Sequence, residues 1–126
     1  MAEAKTFGEF FHKKRRATGL TLREFCRIHN FDAGNMSKIE RSLLPPPQSR
    51  VKLIEYAKAL DIKRGTDDWF EFFDLAAIAV NKIPTDIASD AELMSALPIL
   101  FRSIRNKDLE EKKLHEFINS IRKELR

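Results

Sequence analysis

Cys26 and His29 stand at the C-x-x-H spacing of half a zinc site, but one cysteine and three histidines leave no second pair to complete it. Cys26 as a nucleophile lacks a base and an orienting group, and its apolar neighbours predict a core thiol. The sequence has no glycine-rich phosphate loop and no Ser/His/Asp set. Its acidic residues beyond position 64 fall on amphipathic stretches whose charged faces are ordinarily solvated. No catalytic residue, metal or cofactor is therefore expected. His12-Lys13-Lys14-Arg15-Arg16 concentrates cations, but on a helix they spread around the circumference, which predicts a solvated face rather than a phosphate patch or a nuclear signal.

A more specific arrangement lies between Thr21 and Arg41. His29-Asn30-Phe31-Asp32 is a tight turn between two short helical patterns. The first pattern needs a small residue where the second crosses it, and Cys26 sits there. The turn needs a residue at ease with positive φ, and Asn30 is one. The second needs an inward apolar pair, supplied by Met36 and Ile39. Two helices so joined form a helix-turn-helix, whose second helix can lay its outer N-terminal face in a major groove about 12 Å wide.

The elements that hold these residues follow from period 3.6, with period 2 almost absent, so the chain reads as all-α. Helix 1 is predicted over Thr6–Thr18, with Thr6 as N-cap and Phe7, Phe10 and Phe11 as its stripe. Helix 2 opens on the capping box Thr21…Glu24 and ends at His29, with Phe25, Cys26 and His29 on one face. Asp32 caps helix 3, which runs to about Arg41. The prolines at 45–47 force an extended connection. Helix 4 covers about Gln48–Leu60, with Val51, Ile54, Ala57 and Leu60 inward.

The apolar pattern lapses around Asp61–Asp68, the expected domain edge. Beyond it come a helix over about Thr66–Lys82 rich in Trp69, Phe70, Phe72 and Phe73, another over Asp90–Ile104 interrupted at Pro98, and a last over Asp108–Leu125. Residues 1–64 hold 14 Lys/Arg against 7 Asp/Glu, and residues 65–126 hold 9 against 12. A basic first half suits a polyanion and a mildly acidic second half suits protein. No apolar run has the roughly 20 residues of a membrane helix. The start carries no signal-peptide pattern, and one cysteine suits a reducing compartment, so a cytoplasmic protein is expected.

TGLTLREFCRIHNFDAGNMSKIERSLLPPP resembles the lambda-repressor-like (Cro/CI, XRE) helix-turn-helix family of transcriptional regulators. The likeness covers Phe7 to about Ile62, about half the chain, with Gly19-Leu20-Thr21 and Ser37-Lys38-Ile39-Glu40-Arg41 in the family's pattern. It departs at Asn30 and Ser42, where glycine is usual, at Leu22, where many relatives touch a phosphate, and at Lys14, a usually apolar position that Phe10 is expected to cover. The resemblance implies a four- to five-helix DNA-binding domain over 1–64 and a helical extension over 65–126 for dimerisation or partner binding.

It also implies that Ala33, Gly34, Asn35, Ser37 and Lys38 face the groove, with Asn35 and Lys38 as base readers. An asparagine can bond adenine bidentately and a lysine can reach guanine acceptors. Thr21, Arg23, Arg41, Arg50 and Lys52 fall at phosphate-binding positions. Arg15 and Glu40 match the family's structural ion pair. Trp69, Phe72, Phe73, Phe117 and Ile121 are expected at a dimer or partner interface. The expected function is a dimeric repressor on double-stranded DNA at a palindromic operator. The alternative is an antitoxin whose C-terminal half neutralises a basic, RNase-type toxin and which represses its own operon.

Overall fold

The computed structural model describes residues 6–105, and all of their regular structure is helical. The chain divides into two compact units between Pro84 and Thr85.

The first unit holds α1 (Phe7–Ala17), α2 (Leu22–His29), α3 (Ala33–Glu40), α4 (Arg50–Ala59) and α5 (Asp67–Ala79). Each begins on a side-chain oxygen that accepts a first-turn N–H: Thr6, Thr21, Asp32, Ser49 and Thr66 in turn. At α2 the box is reciprocal, since Thr21 N–H also donates to Glu24 at 3.1 Å. Four helices end on a non-glycine residue in the left-handed region: Asn30 (φ 59°), Ser42 (61°), Asp61 (58°) and Asn81 (58°). In each case the next N–H reaches back to a last-turn carbonyl, as Phe31 does to Cys26 at 2.8 Å and Leu43 to Lys38 at 2.8 Å. Asparagine and aspartate tolerate that backbone, whereas Ser42 occupies it at a cost.

The core is built on aromatic rings. Phe11, Phe25, Phe72 and Met36 are completely enclosed. Phe11 packs edge-on against Phe25 (5.9 Å) and Tyr56 (5.6 Å), joining α1, α2 and α4. Gly8 is buried where α1 crosses the end of α3: a Cβ there would stand 2.4 Å from the Ile39 carbonyl oxygen and 2.8 Å from that of Glu40. Only glycine permits that approach.

Three expectations change. Helix 4 starts at Arg50, behind its Ser49 cap, and turns Leu53, Tyr56, Ala57 and Leu60 inward; Val51 is 70% exposed. The inward stripe is set by the rings of Phe11 and Phe31, both of which Tyr56 meets. Helix 5 packs on α1, with Phe72 5.0 Å from Phe7, so the first unit runs to Pro84 rather than ending at residue 64. Burying Phe72 alone is worth about 1.5–3 kcal/mol, enough to hold the helix to the domain it follows.

The described part of the second unit holds α6 (Thr85–Ala88), a single turn too short to show periodicity, and α7 (Ala91–Arg105). The third change lies here: α7 continues through Pro98, which removes one intrahelical hydrogen bond without ending the helix. The expected last helix over Asp108–Leu125 lies outside the described residues. No helix among the described residues is long and apolar enough to cross a membrane.

Candidate nucleic-acid interface

α3 divides cleanly into two faces. Met36 and Ile39 are buried, while Gly34, Asn35 and Lys38 are exposed and Ser37 is half-buried. Ala33, expected on the outer face, is instead half-buried against the core. A side chain at the first position of α3 sits beside the turn that Phe31 fills, so its methyl is partly taken up by packing. The Asp32 carboxylate accepts the Asn35 backbone N–H at 2.8 Å. A capping carboxylate makes that helix end a poor place for a phosphate, so the chemistry of α3 rests on its side chains.

The orientation of α3 is set from α1. Arg15 is 7% exposed, and its Nε and Nη2 donate to the two Glu40 carboxylate oxygens at 2.7 and 3.0 Å. Its Nη1 donates to the Leu20 carbonyl at 2.9 Å. One guanidinium thus ties α1 to the last residue of α3 and to the turn before α2, the planar two-point geometry that favours arginine over lysine. His12 joins this pair, with Nδ1 2.6 Å from Glu40 Oε1. Sequence reasoning placed His12 in a solvated run; its position three residues before Arg15, on the same helix face, was the available signal. In that run Lys14 pairs with Asp68 and lies over the Phe10 ring at 5.7 Å, whereas Lys13 and Arg16 are exposed.

The cationic positions differ in how much of each side chain is committed. Arg23 is exposed at the start of α2. Arg41 is exposed and folds Nε back on the Ser37 carbonyl at 3.3 Å. Arg50 is exposed and lies over the Phe73 ring at 4.9 Å. Lys52 is more occupied: it lies near the Phe31 and Tyr56 rings and pairs with Glu55 at 3.3 Å. Thr21 is committed to its capping box, since its hydroxyl accepts the Glu24 N–H at 3.2 Å. Hydrogen bonds from Thr21, from its side chain first and its backbone second, hold the Glu24 carboxyl below its ordinary range.

The residues expected at an interface are largely used inside the chain. Phe72 is fully enclosed, Trp69 is 7% exposed, and Phe73 is half-buried against both at 5.4 and 4.7 Å. A small helical domain needs that apolar surface for its own core. Phe117 and Ile121 lie outside the described residues.

Burial pushes the Cys26 thiol up, away from the thiolate a nucleophile or metal ligand requires. Among the described residues no group of three His, Cys, Asp or Glu side chains could hold a metal. A groove of about 330 Å³ between the start of α1, the proline segment and the end of α5 is lined by residues such as Phe7, Leu44, Pro46 and Leu75, and by no titratable side chain. Comparison with models of known protein families, with characterised proteins and with solved structures gives no match to this chain.

Proposed function

We infer that the chain is a sequence-specific double-stranded DNA-binding regulator, a repressor that acts as a dimer without catalysis. In this reading α2 and α3 are a helix-turn-helix and α3 enters the major groove. One observation carries it: a bidentate Arg15–Glu40 clamp fixes a short helix whose exposed face presents Gly34, Asn35 and Lys38. Exposed arginines at positions 23, 41 and 50 border that helix in sequence. Asn35 and Lys38 would read base edges. Arg23, Arg41 and Arg50 would hold phosphates, and Gly34 would let the backbone approach a base pair. Lys52 and Thr21, already engaged within the fold, would contribute less.

Selection of bound duplexes from random DNA tests the reading, with half-sites expected about 34 Å apart. Asn35→Ala and Lys38→Ala should each relax preference at one position per half-site, by about 1–3 kcal/mol of discrimination. Arg50→Ala should weaken all duplexes alike and lower the salt slope by about one. Binding that shows no salt dependence, or an Asn35→Ala selection identical to the parent's, would remove α3 from the groove.

A further inference from the structure

We propose that Phe73 of α5 is a positioning residue for the phosphate contact of Arg50, so that a helix beyond the helix-turn-helix sets how tightly the chain holds DNA. The proposal rests on the DNA-binding reading above. Arg50 is the first residue of α4, directly behind its Ser49 cap, and it is exposed. Its guanidinium carbon stands 4.9 Å from the centre of the Phe73 ring, within reach of a cation–π contact. The ring is itself held. It lies 4.7 Å from Trp69 and meets Phe72 edge-on at 5.4 Å. Phe72, fully enclosed, packs on Phe7 at 5.0 Å and Phe10 at 6.4 Å, both in α1. A second tie reaches the same place from just past the end of α5: Lys82 Nζ donates to the Gln48 side-chain oxygen at 3.2 Å, two residues before Arg50.

What holds a cation decides what it can still do. A carboxylate that fixes a cation also offsets its charge, as Glu55 does for Lys52 at 3.3 Å. Arg41 spends its Nε on the Ser37 carbonyl. A ring is neutral, so Phe73 restricts Arg50 and leaves its full charge for a phosphate. Arginine gives up rotamer freedom when it is immobilised on a partner. A side chain already held has less to give up, and the difference appears as affinity. The surroundings agree: the first turn of α4 carries no acidic residue, and its cap is a neutral hydroxyl where α3 has the Asp32 carboxylate. Nothing in that turn opposes an anion. Without the ring, Arg50 still carries its charge to the phosphate, so the loss falls on affinity and not on the number of phosphates neutralised.

Phe73→Leu in the full chain should weaken binding to the selected duplex about two- to fivefold, the worth of an exposed cation–π contact. The salt slope should stay as it is, because Arg50 keeps its charge. In an Arg50→Ala background Phe73→Leu should have no further effect, whereas a packing role alone would move both backgrounds alike. Phe73→Tyr keeps the ring and should bind as the parent does. Phe73→Met, which fills the space without a ring, carries the same expectations where Phe73→Leu loses helix content by circular dichroism. The contact is also read without DNA, as an upfield ring-current shift of the Arg50 δ-protons that Phe73→Leu abolishes. Equal losses in both backgrounds, parental affinity for Phe73→Leu, or a Phe73→Tyr no tighter than Phe73→Leu overturns the proposal and leaves the DNA-binding reading standing. A parent chain that binds no duplex overturns both, even where the ring-current shift is present.

Discussion

Replacing Arg15 with methionine removes the cation that fixes α3 while keeping most of the side-chain volume. Arg15 donates two hydrogen bonds to Glu40 and one to the Leu20 carbonyl, and its Nη2 lies 3.2 Å from His12 Nδ1. The Glu40 side chain is 6% exposed, so without Arg15 its carboxylate is left out of water and faced by His12. Breaking a buried pair from one side costs about 3–5 kcal/mol. The unpaired carbonyl adds about 1 kcal/mol, and the His12 contact returns part of the sum, so the expected loss is about 3 kcal/mol. For a unit of this size that is a fall in Tm of about 12–24 °C. Urea and thermal unfolding at pH 7, followed by circular dichroism, would measure it. Combining Arg15→Met with Glu40→Met removes both charges and should recover most of the loss, because methionines of similar length fill the space with no charge to strand. A single variant within about 1 kcal/mol of the parent, or a double variant less stable than the single, would show that the clamp does not hold α3.

Gly8→Ala should destabilise by about 1–3 kcal/mol in the same assay, since its methyl meets two backbone oxygens that have no room to yield. Gly34→Ala places its methyl 3.2 Å from one Asp32 oxygen and should not lower stability, yet it should change the selected duplexes by lifting α3 from the base pairs. Ser42→Gly should stabilise by about 1 kcal/mol by relieving a left-handed serine, read as a higher urea midpoint at constant slope. Glu24→Gln should flatten the acid limb of the stability profile. A carboxyl held below its ordinary value in the fold contributes stability that is present above about pH 4.3 and lost as pH falls through the folded value.

How much was legible depended on how far along the chain each cause reaches. Every helix start in the first unit is written in a hydroxyl or carboxylate that bonds an N–H three residues on; Thr6, Thr21 and Asp32 were read as caps, whereas Ser49 was passed over for a start at Gln48. Asn30 could be assigned as a stop because asparagine tolerates the left-handed backbone it adopts. The Arg15–Glu40 pair was legible through resemblance alone, because no rule of spacing joins residues 25 apart. The cover of Lys14 by Phe10 could be read, but the partners of His12 and Lys14 could not, since Glu40 and Asp68 arrive from other helices. In α3 the inward pair Met36 and Ile39 followed from spacing, whereas the outward set came from the resemblance, and of it Ala33 is half-buried.

The amino-acid sequence by itself determined that the chain is helical, where α1, α2 and α3 begin, and that Met36 and Ile39 face inward, because capping and periodicity act within about one helical turn. Only the tertiary structure decided which neighbour covers each apolar surface. Val51 and Leu53 are equally apolar, yet one faces solvent and the other the core, according to where the Phe11 and Phe31 rings meet α4. Trp69, Phe72 and Phe73 suited an interface as well as a core until α5 packed on Phe7. Burial is non-directional and blind to sequence distance, so its partners are chosen by the assembled fold and not by the local pattern.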